Sequence, residues 1–174
     1  MKKVYNSCNI EVDLPSDWKI LDDEQVERMG INNQPGVELL DVYLKEFKYS
    51  VGIISFQNFG KAEGFIETMD SYLNKLTEKF NKAEEEGKSW KTILPVKPLD
   101  HRIISVNNKK IYAIAYESAT NEEDYVIQIN FLFNKNTYCL TFNVEKSTFD
   151  LDKILNEDIL AKDCIEFIMS ATKC

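Results

Sequence analysis

Between residues 101 and 144 four apolar runs follow one another with little between them: HRIISV, KKIYAIAYES, DYVIQINFLF and YCLTFNV. Only NN, ATNEE and NKNT separate them. Connections that short join antiparallel neighbours, because a parallel pair needs a crossover of a dozen or more residues. The chain is thereby committed to an antiparallel meander, and every other segment has to cover it or extend it.

The last hairpin of the meander can be registered on paper. With Lys135 and Asn136 as a two-residue loop, Asn134 faces Thr137, and the pairs Phe133/Tyr138, Phe131/Leu140, Ile129/Phe142 and Ile127/Val144 follow. All of these share one face. Side chains alternate along a strand, so Asn130/Thr141 and Gln128/Asn143 fall on the other face, and a slip of one residue would mix apolar with polar on both. Ala113 and Ala115 are expected to add two shallow positions to the polar face. This face, with Gln128, Asn130, Thr141 and Asn143, is the nearest thing to a site in the chain. It is either a solvated or lightly covered sheet face, or a groove for a partner segment.

Upstream, a first strand over about residues 8 to 14 ends at Pro15, which lacks a backbone donor, and Ser16 and Asp17 supply turn chemistry. Trp18 then plugs the mouth of the core that the strand begins. Residues 22 to 34 hold one short helical turn before Gly30, and Pro35 and Gly36 mark a loop. VELLDVYLKEF and YSVGIISFQ form a hairpin. From Glu63 to Glu86 the period changes: Phe65, Met69, Tyr72, Leu76, Phe80 and Ala83 recur at steps of four and three, the stripe of an amphipathic helix.

That helix ends on Glu84, Glu85 and Glu86, which face the negative end of its dipole, before Gly87 as a left-handed cap. The three glutamates are a solvated end or an acidic contact for a basic partner. SWKTILPVKPLD reads as a short strand or extended arm whose two prolines suit a sheet edge, and Trp90 within it is a candidate for partial exposure and partner contact. The final segment has Leu151, Ile154, Leu155, Ile159, Cys164, Ile165 and Ile168 at helical spacing, with Asp150 or Asp152 near its start.

Catalytic raw material is thin. His101 is the one histidine, beside Arg102 before an apolar strand, and suits a surface or capping role better than a general base. Neither a nucleophile elbow nor a glycine-rich phosphate loop occurs. Asp22 with Asp23, and Glu122, Glu123 and Asp124, are solvated turn clusters without calcium-loop spacing. Cys8, Cys139, Cys164 and Cys174 lie far apart with no CxxC, and are expected to be reduced thiols, two of them in apolar settings. No metal and no cofactor is expected.

The 174 residues suit one domain over 1–174, and 44% apolar residues supply its core. Twenty-nine acidic against 21 basic residues give a net charge of -8, which opposes nucleic acid and anionic lipid surfaces. MKKVYNSC lacks the apolar stretch of a signal peptide, and no run reaches the roughly 18 to 20 apolar residues of a membrane span, so a cytoplasmic location is expected.

The strand ending in LPSDW, the hairpin, the long amphipathic helix, the ISVNNKKIYAIAYES hairpin within a meander and the C-terminal helix together resemble the PsbP-like fold. That fold is shared by the extrinsic photosystem subunit and a Ran-binding nuclear import factor. The resemblance implies an α+β structure: an α/β/α sandwich of about six or seven antiparallel strands between two long helices. It also implies a binding or accessory role, since relatives assist larger assemblies and a bacterial branch includes small chaperones for secreted effectors. No functional residue carries over, because neither a Ran-binding nor a photosystem-binding motif is present.

The expected function is a non-catalytic cytoplasmic adaptor or chaperone-like protein holding a partner polypeptide through the polar sheet face, Trp90 or the acidic helix end. One alternative is a small-molecule binder or an unrecognised enzyme with a pocket near His101. Another is an immunity or inhibitor protein whose negative charge meets a basic toxin.

Overall fold

The computed structural model describes residues 1–31, 35–46, 51–147, 150 and 159–174. Strands β1 (Lys2–Tyr5) and β2 (Ile10–Asp13) form a small hairpin of their own. The main sheet contains β3 (Trp18–Ile20), β4 (Glu38–Glu46), β5 (Val51–Lys61), β6 (Val96–Val106), β7 (Lys109–Ser118), β8 (Asp124–Phe133) and β9 (Asn136–Glu145). Its order is β3-β4-β5-β9-β8-β7-β6, antiparallel throughout. Helices α1 (Asp23–Arg28), α2 (Phe65–Glu85) and α3 (Ile159–Met169), with a single 3-10 turn at Trp90–Thr92, complete the described elements. Leu151, Asp152, Ile154 and Leu155, expected at the start of the last helix, lie outside the described residues, as does the 47–50 connection between β4 and β5.

Apolar clusters on both faces of the sheet make it the middle layer of a sandwich. On the first face, Ile54, Phe56, Ile127, Ile129, Phe131, Tyr138, Leu140 and Phe142 meet the β1–β2 hairpin and, from α3, Cys164, Phe167 and Ile168. On the second, Tyr112, Ile114 and Tyr116 of β7 meet Phe65, Met69, Leu73, Leu76 and Phe80 of α2. The helix stripe therefore differs from the expected one at a single step. Leu73 points inward and Tyr72 is 44% exposed, because the buried face advances four residues from Met69 to Leu73 and then three to Leu76, where the expected stripe takes the three-residue step first. Gly87, at φ 68°, closes α2: its N–H donates to the Glu84 carbonyl (3.0 Å) and the Lys88 N–H to that of Ala83 (2.8 Å).

The meander is present with one correction of register. Asn134 and Lys135, not Lys135 and Asn136, are the loop residues, and both have positive φ, 47° and 66°. Asparagine adopts that left-handed conformation more readily than most residues, which is what a type I′ turn requires. Phe131 therefore pairs with Tyr138, Ile129 with Leu140, Ile127 with Phe142, and Gln128 with Thr141. The shift is two residues, an even number, so the division into an apolar and a polar face survives. Asn107 and Asn108, at φ 46° and 64°, make the same kind of turn between β6 and β7. A second correction follows from the pairing of Ala113 with Ile129 and Ala115 with Ile127: both alanines are buried in the first-face core, and Tyr112, Ile114 and Tyr116 border the polar positions instead.

At the N-terminus the single expected strand is the second arm of a hairpin. MKKVY carries too few apolar residues to announce β1, which is held from outside. The Met1 carbonyl accepts from the Leu14 N–H (2.7 Å), and Glu11 bridges to Thr172 near the C-terminus through two 2.8 Å backbone bonds. After Pro15, Trp18 turns inward as expected, 3% exposed, with its ring 5.5 Å from Phe167 and 5.4 Å from Tyr43. Lys45, also buried at 3%, is ion-paired with Asp163 of α3 and lies 3.5 Å from Asp17. The four thiols are free, with Cys8, Cys139 and Cys164 buried.

β6 ends the sheet, which is where Pro98 is tolerated, next to a bulge between Pro98 and Asp100. Beyond them the backbone of His101 meets two neighbouring side chains: its N–H donates to Asp100 Oδ1 (2.8 Å), and Arg102 Nη1 donates to its carbonyl (3.2 Å). Asp100 and Arg102 are themselves ion-paired at 2.8 Å. Proline, bulge and charged side chains over backbone groups are devices that keep a free edge from templating another strand.

Three outcomes follow. Phe167→Ala is expected to lower unfolding free energy by about 3 to 5 kcal/mol in a denaturant titration, since it empties the centre of the first-face core. Asp100→Ser with Arg102→Ser should leave the circular dichroism spectrum unchanged but introduce concentration-dependent association in light scattering. Burial raises the phenol pKa of Tyr5, Tyr43 and Tyr116, and lifts Tyr138 and the Cys139 thiol to about 12 from their ordinary 10.0 and 9.0. The folded state thus holds protons that the unfolded chain releases, so stability falls as pH rises from about 9 to 12. Phenolate absorbance from the buried tyrosines should appear together with loss of the folded circular dichroism signal; ionisation ahead of unfolding would contradict it.

Candidate functional site

Helix α2 sits over β7, toward the β6 side of the sheet, and leaves the second face of β8, β9 and β5 half uncovered. The uncovered part is concave. β5 carries a bulge between Asn58 and Gly60, with Gly60 at φ 84° and its N–H bonded to Asn58 Oδ1 (2.9 Å), and this bends the end of the strand. A groove of about 650 Å³ results. One wall is Thr68, Met69, Tyr72 and Leu76 of α2 with Leu94, Pro95 and Val96 ahead of and entering β6; the other is Phe59, Gly60, Lys61 and Ala62. Tyr116, Val126, Gln128, Asn130, Thr137 and Thr141 form the floor.

Apart from Thr68 and Lys61 the walls are apolar, and two rings stand at the lip, Tyr72 at 44% and Phe59 at 38% exposure. The floor is polar yet uncharged, and Lys61 is the charged residue among those lining the groove. Asn130 and Thr137 are buried, Gln128 and Thr141 half-buried. Asn130 Nδ2 donates to the Tyr112 carbonyl (3.1 Å), which fixes the direction of its amide, because a backbone carbonyl can only accept. The Tyr116 hydroxyl donates to Gln128 Oε1 (2.8 Å), and the Thr141 hydroxyl reaches Gln57 Oε1 at 3.4 Å.

Desolvation raises the pKa of Tyr116 and of Tyr72. Beneath the floor, the Cys139 thiol is 3.3 Å from the Thr141 hydroxyl and stays protonated at neutral pH, since burial pushes it up to about 12. Chemically, the groove can shelter apolar surface and exchange neutral hydrogen bonds with what it shelters.

Of the residues singled out in the sequence, Gln128, Asn130 and Thr141 line this groove, while Asn143 is exposed outside it. Trp90 and Glu84 meet elsewhere, in a depression of about 250 Å³ with Phe80, Lys97 and Pro98, where the Trp90 ring packs edge-on against Phe80 at 5.9 Å. Glu85 is exposed, and Glu86 is ion-paired with Lys88 at 2.7 Å on the surface. The sheet face and the acidic helix end are therefore separate places. His101 lines neither depression. It is exposed on β6 and stacks on Tyr112 at 5.4 Å, whose hydroxyl donates to Asp70 Oδ1 at 2.5 Å.

Phe59, Met69, Tyr72, Tyr116 and Thr137 are among the groove residues that the sequence does not mark as site residues. Helical spacing places Met69 and Tyr72 in the buried stripe of α2, and Tyr116 shares a strand whose alanines take the face opposite to the expected one. The missing signal was the strand register from Tyr112 to Tyr116.

No family model matches the chain, and no curated protein matches it. Among solved structures it is similar to the solution structure of cyanobacterial PsbP (CyanoP) from Synechocystis sp. PCC 6803, with 10% sequence identity over 100% of this chain and 92% of that one and a TM-score of 0.56. At that identity the likeness establishes architecture: the chain has a PsbP-like α+β fold.

Proposed function

We propose that this chain is a non-catalytic binding protein of the cytoplasm, adaptor or chaperone-like in role, that holds a partner polypeptide in the groove between α2 and the second sheet face. The observation that carries this reading is an open trough with apolar walls, an uncharged polar floor and two rings at its lip. A trough open to solvent admits a segment that enters and leaves. Exposed rings beside a concave apolar surface are the kind of anchor that dominates protein interfaces. The PsbP-like fold does not bear on the choice, because one fold hosts many functions.

A second reading, a small-molecule binder, rests on the volume alone: 650 Å³ lies within the roughly 300 to 1,000 Å³ of ligand pockets. A partner retained in stoichiometric amount from the source cell by the tagged wild-type chain, and lost with Tyr72→Glu, is the expected result. The charge at the lip should weaken the complex at least about tenfold, or ~1.4 kcal/mol. Retention of the partner by Tyr72→Glu at unchanged affinity, or no stoichiometric partner at all, would set the adaptor reading aside in favour of ligand screening by thermal shift.

A further inference from the structure

The floor of the groove is more specific than its walls. Gln128 and Asn130 are two residues apart on β8 and so share a face, about 7 Å apart along the strand. Asn130 spends its Nδ2 on the Tyr112 carbonyl, which leaves Oδ1, an acceptor, for the groove. Gln128 receives the Tyr116 hydroxyl on Oε1, which leaves its Nε2, a donor. Thr137, buried beside them, offers a hydroxyl of either polarity. An acceptor and a donor of no net charge are thus held side by side among apolar walls.

We infer that the occupant is an uncharged stretch of polypeptide in extended conformation, one residue of which gives its N–H to Asn130 Oδ1 and takes Gln128 Nε2 on its C=O. The inference rests on the groove being the binding site. An extended residue presents N–H and C=O to the same side, as it does to a neighbouring strand, and the flanking side chains then turn toward Met69, Tyr72 and Leu76. A helix fits less well, because its backbone groups are already bonded to one another and would leave both amides unanswered. An alkyl chain answers neither. An ammonium on the segment would be stripped of water over a floor that carries no opposite charge, and a carboxylate would meet one only at Lys61 on the wall, not on the floor.

The test uses the full 174-residue chain, labelled with nitrogen-15, and four probes: acetyl-Leu-Ala-Val-Leu amide, the same peptide N-methylated at each internal amide in turn, a helical peptide of similar composition, and 1-octanol. The readout is the side-chain amide signals of Gln128 and Asn130 during titration. The expected result is that the capped peptide moves both signals, that N-methylation at one position raises Kd about tenfold, and that Gln128→Leu raises it similarly. Equal binding of 1-octanol or of the helical peptide, with no effect of N-methylation, would overturn the extended-peptide assignment while leaving the groove as the site. If no probe moves any signal from the groove, the groove reading falls as well. Should Gln128→Leu fold poorly, the N-methyl series on the wild-type chain decides by itself.

Discussion

Phe167 is the point where the C-terminal helix, the N-terminal turn and the centre of the sheet meet. Its ring lies 5.1 Å from Phe56 of β5, 5.9 Å from Tyr43 of β4 and 5.5 Å from Trp18 of β3, edge-on to the first two and stacked on the third. Each contact joins parts of the chain far apart in sequence, so forming it closes long loops. Around it Trp18 gains a place to be buried, β3 gains a reason to pair with β4, and the β1–β2 hairpin gains a surface to lie on. Loss of about 3 to 5 kcal/mol here would be a large share of the 5 to 15 kcal/mol that stabilise an ordinary domain.

The Lys45–Asp163 pair beside this cluster works by a different logic. A buried ammonium costs several kcal/mol in desolvation, and its carboxylate partner offsets that only in good geometry. The pair is therefore better understood as fixing where α3 docks than as adding stability. It gives the first face one helix position, and the apolar contacts of Cys164, Phe167 and Ile168 supply the energy.

The second face is organised by what is left uncovered. α2 buries its stripe against Tyr112, Ile114 and Tyr116 of β7, and the next two strands, β8 and β9, carry Gln128, Asn130, Thr137 and Thr141 where a fully covered sheet would carry aliphatic residues. A helix laid over those positions would strand their hydrogen-bonding groups, so the polar residues themselves keep the face open. Groove and fold arise from one sequence pattern: an apolar set at even spacing for one core, and neutral polar residues between.

Much of this was legible in the residues. Alternation from 101 to 144 fixed an antiparallel meander and sorted its side chains into faces, since a period of two survives any even error of register. The period of α2 and the end of the first strand at Pro15 were equally local, because helical spacing and a missing N–H act within a few residues. What only the tertiary structure decided was non-local: the turn at Asn134 and Lys135 instead of one residue later, the face taken by Ala113 and Ala115, the inward turn of Leu73 in place of Tyr72, and the existence of β1. Each depends on which neighbour across space completes a pairing or covers a side chain. The groove is of that kind too, because it is a volume left between elements and no stretch of sequence contains it.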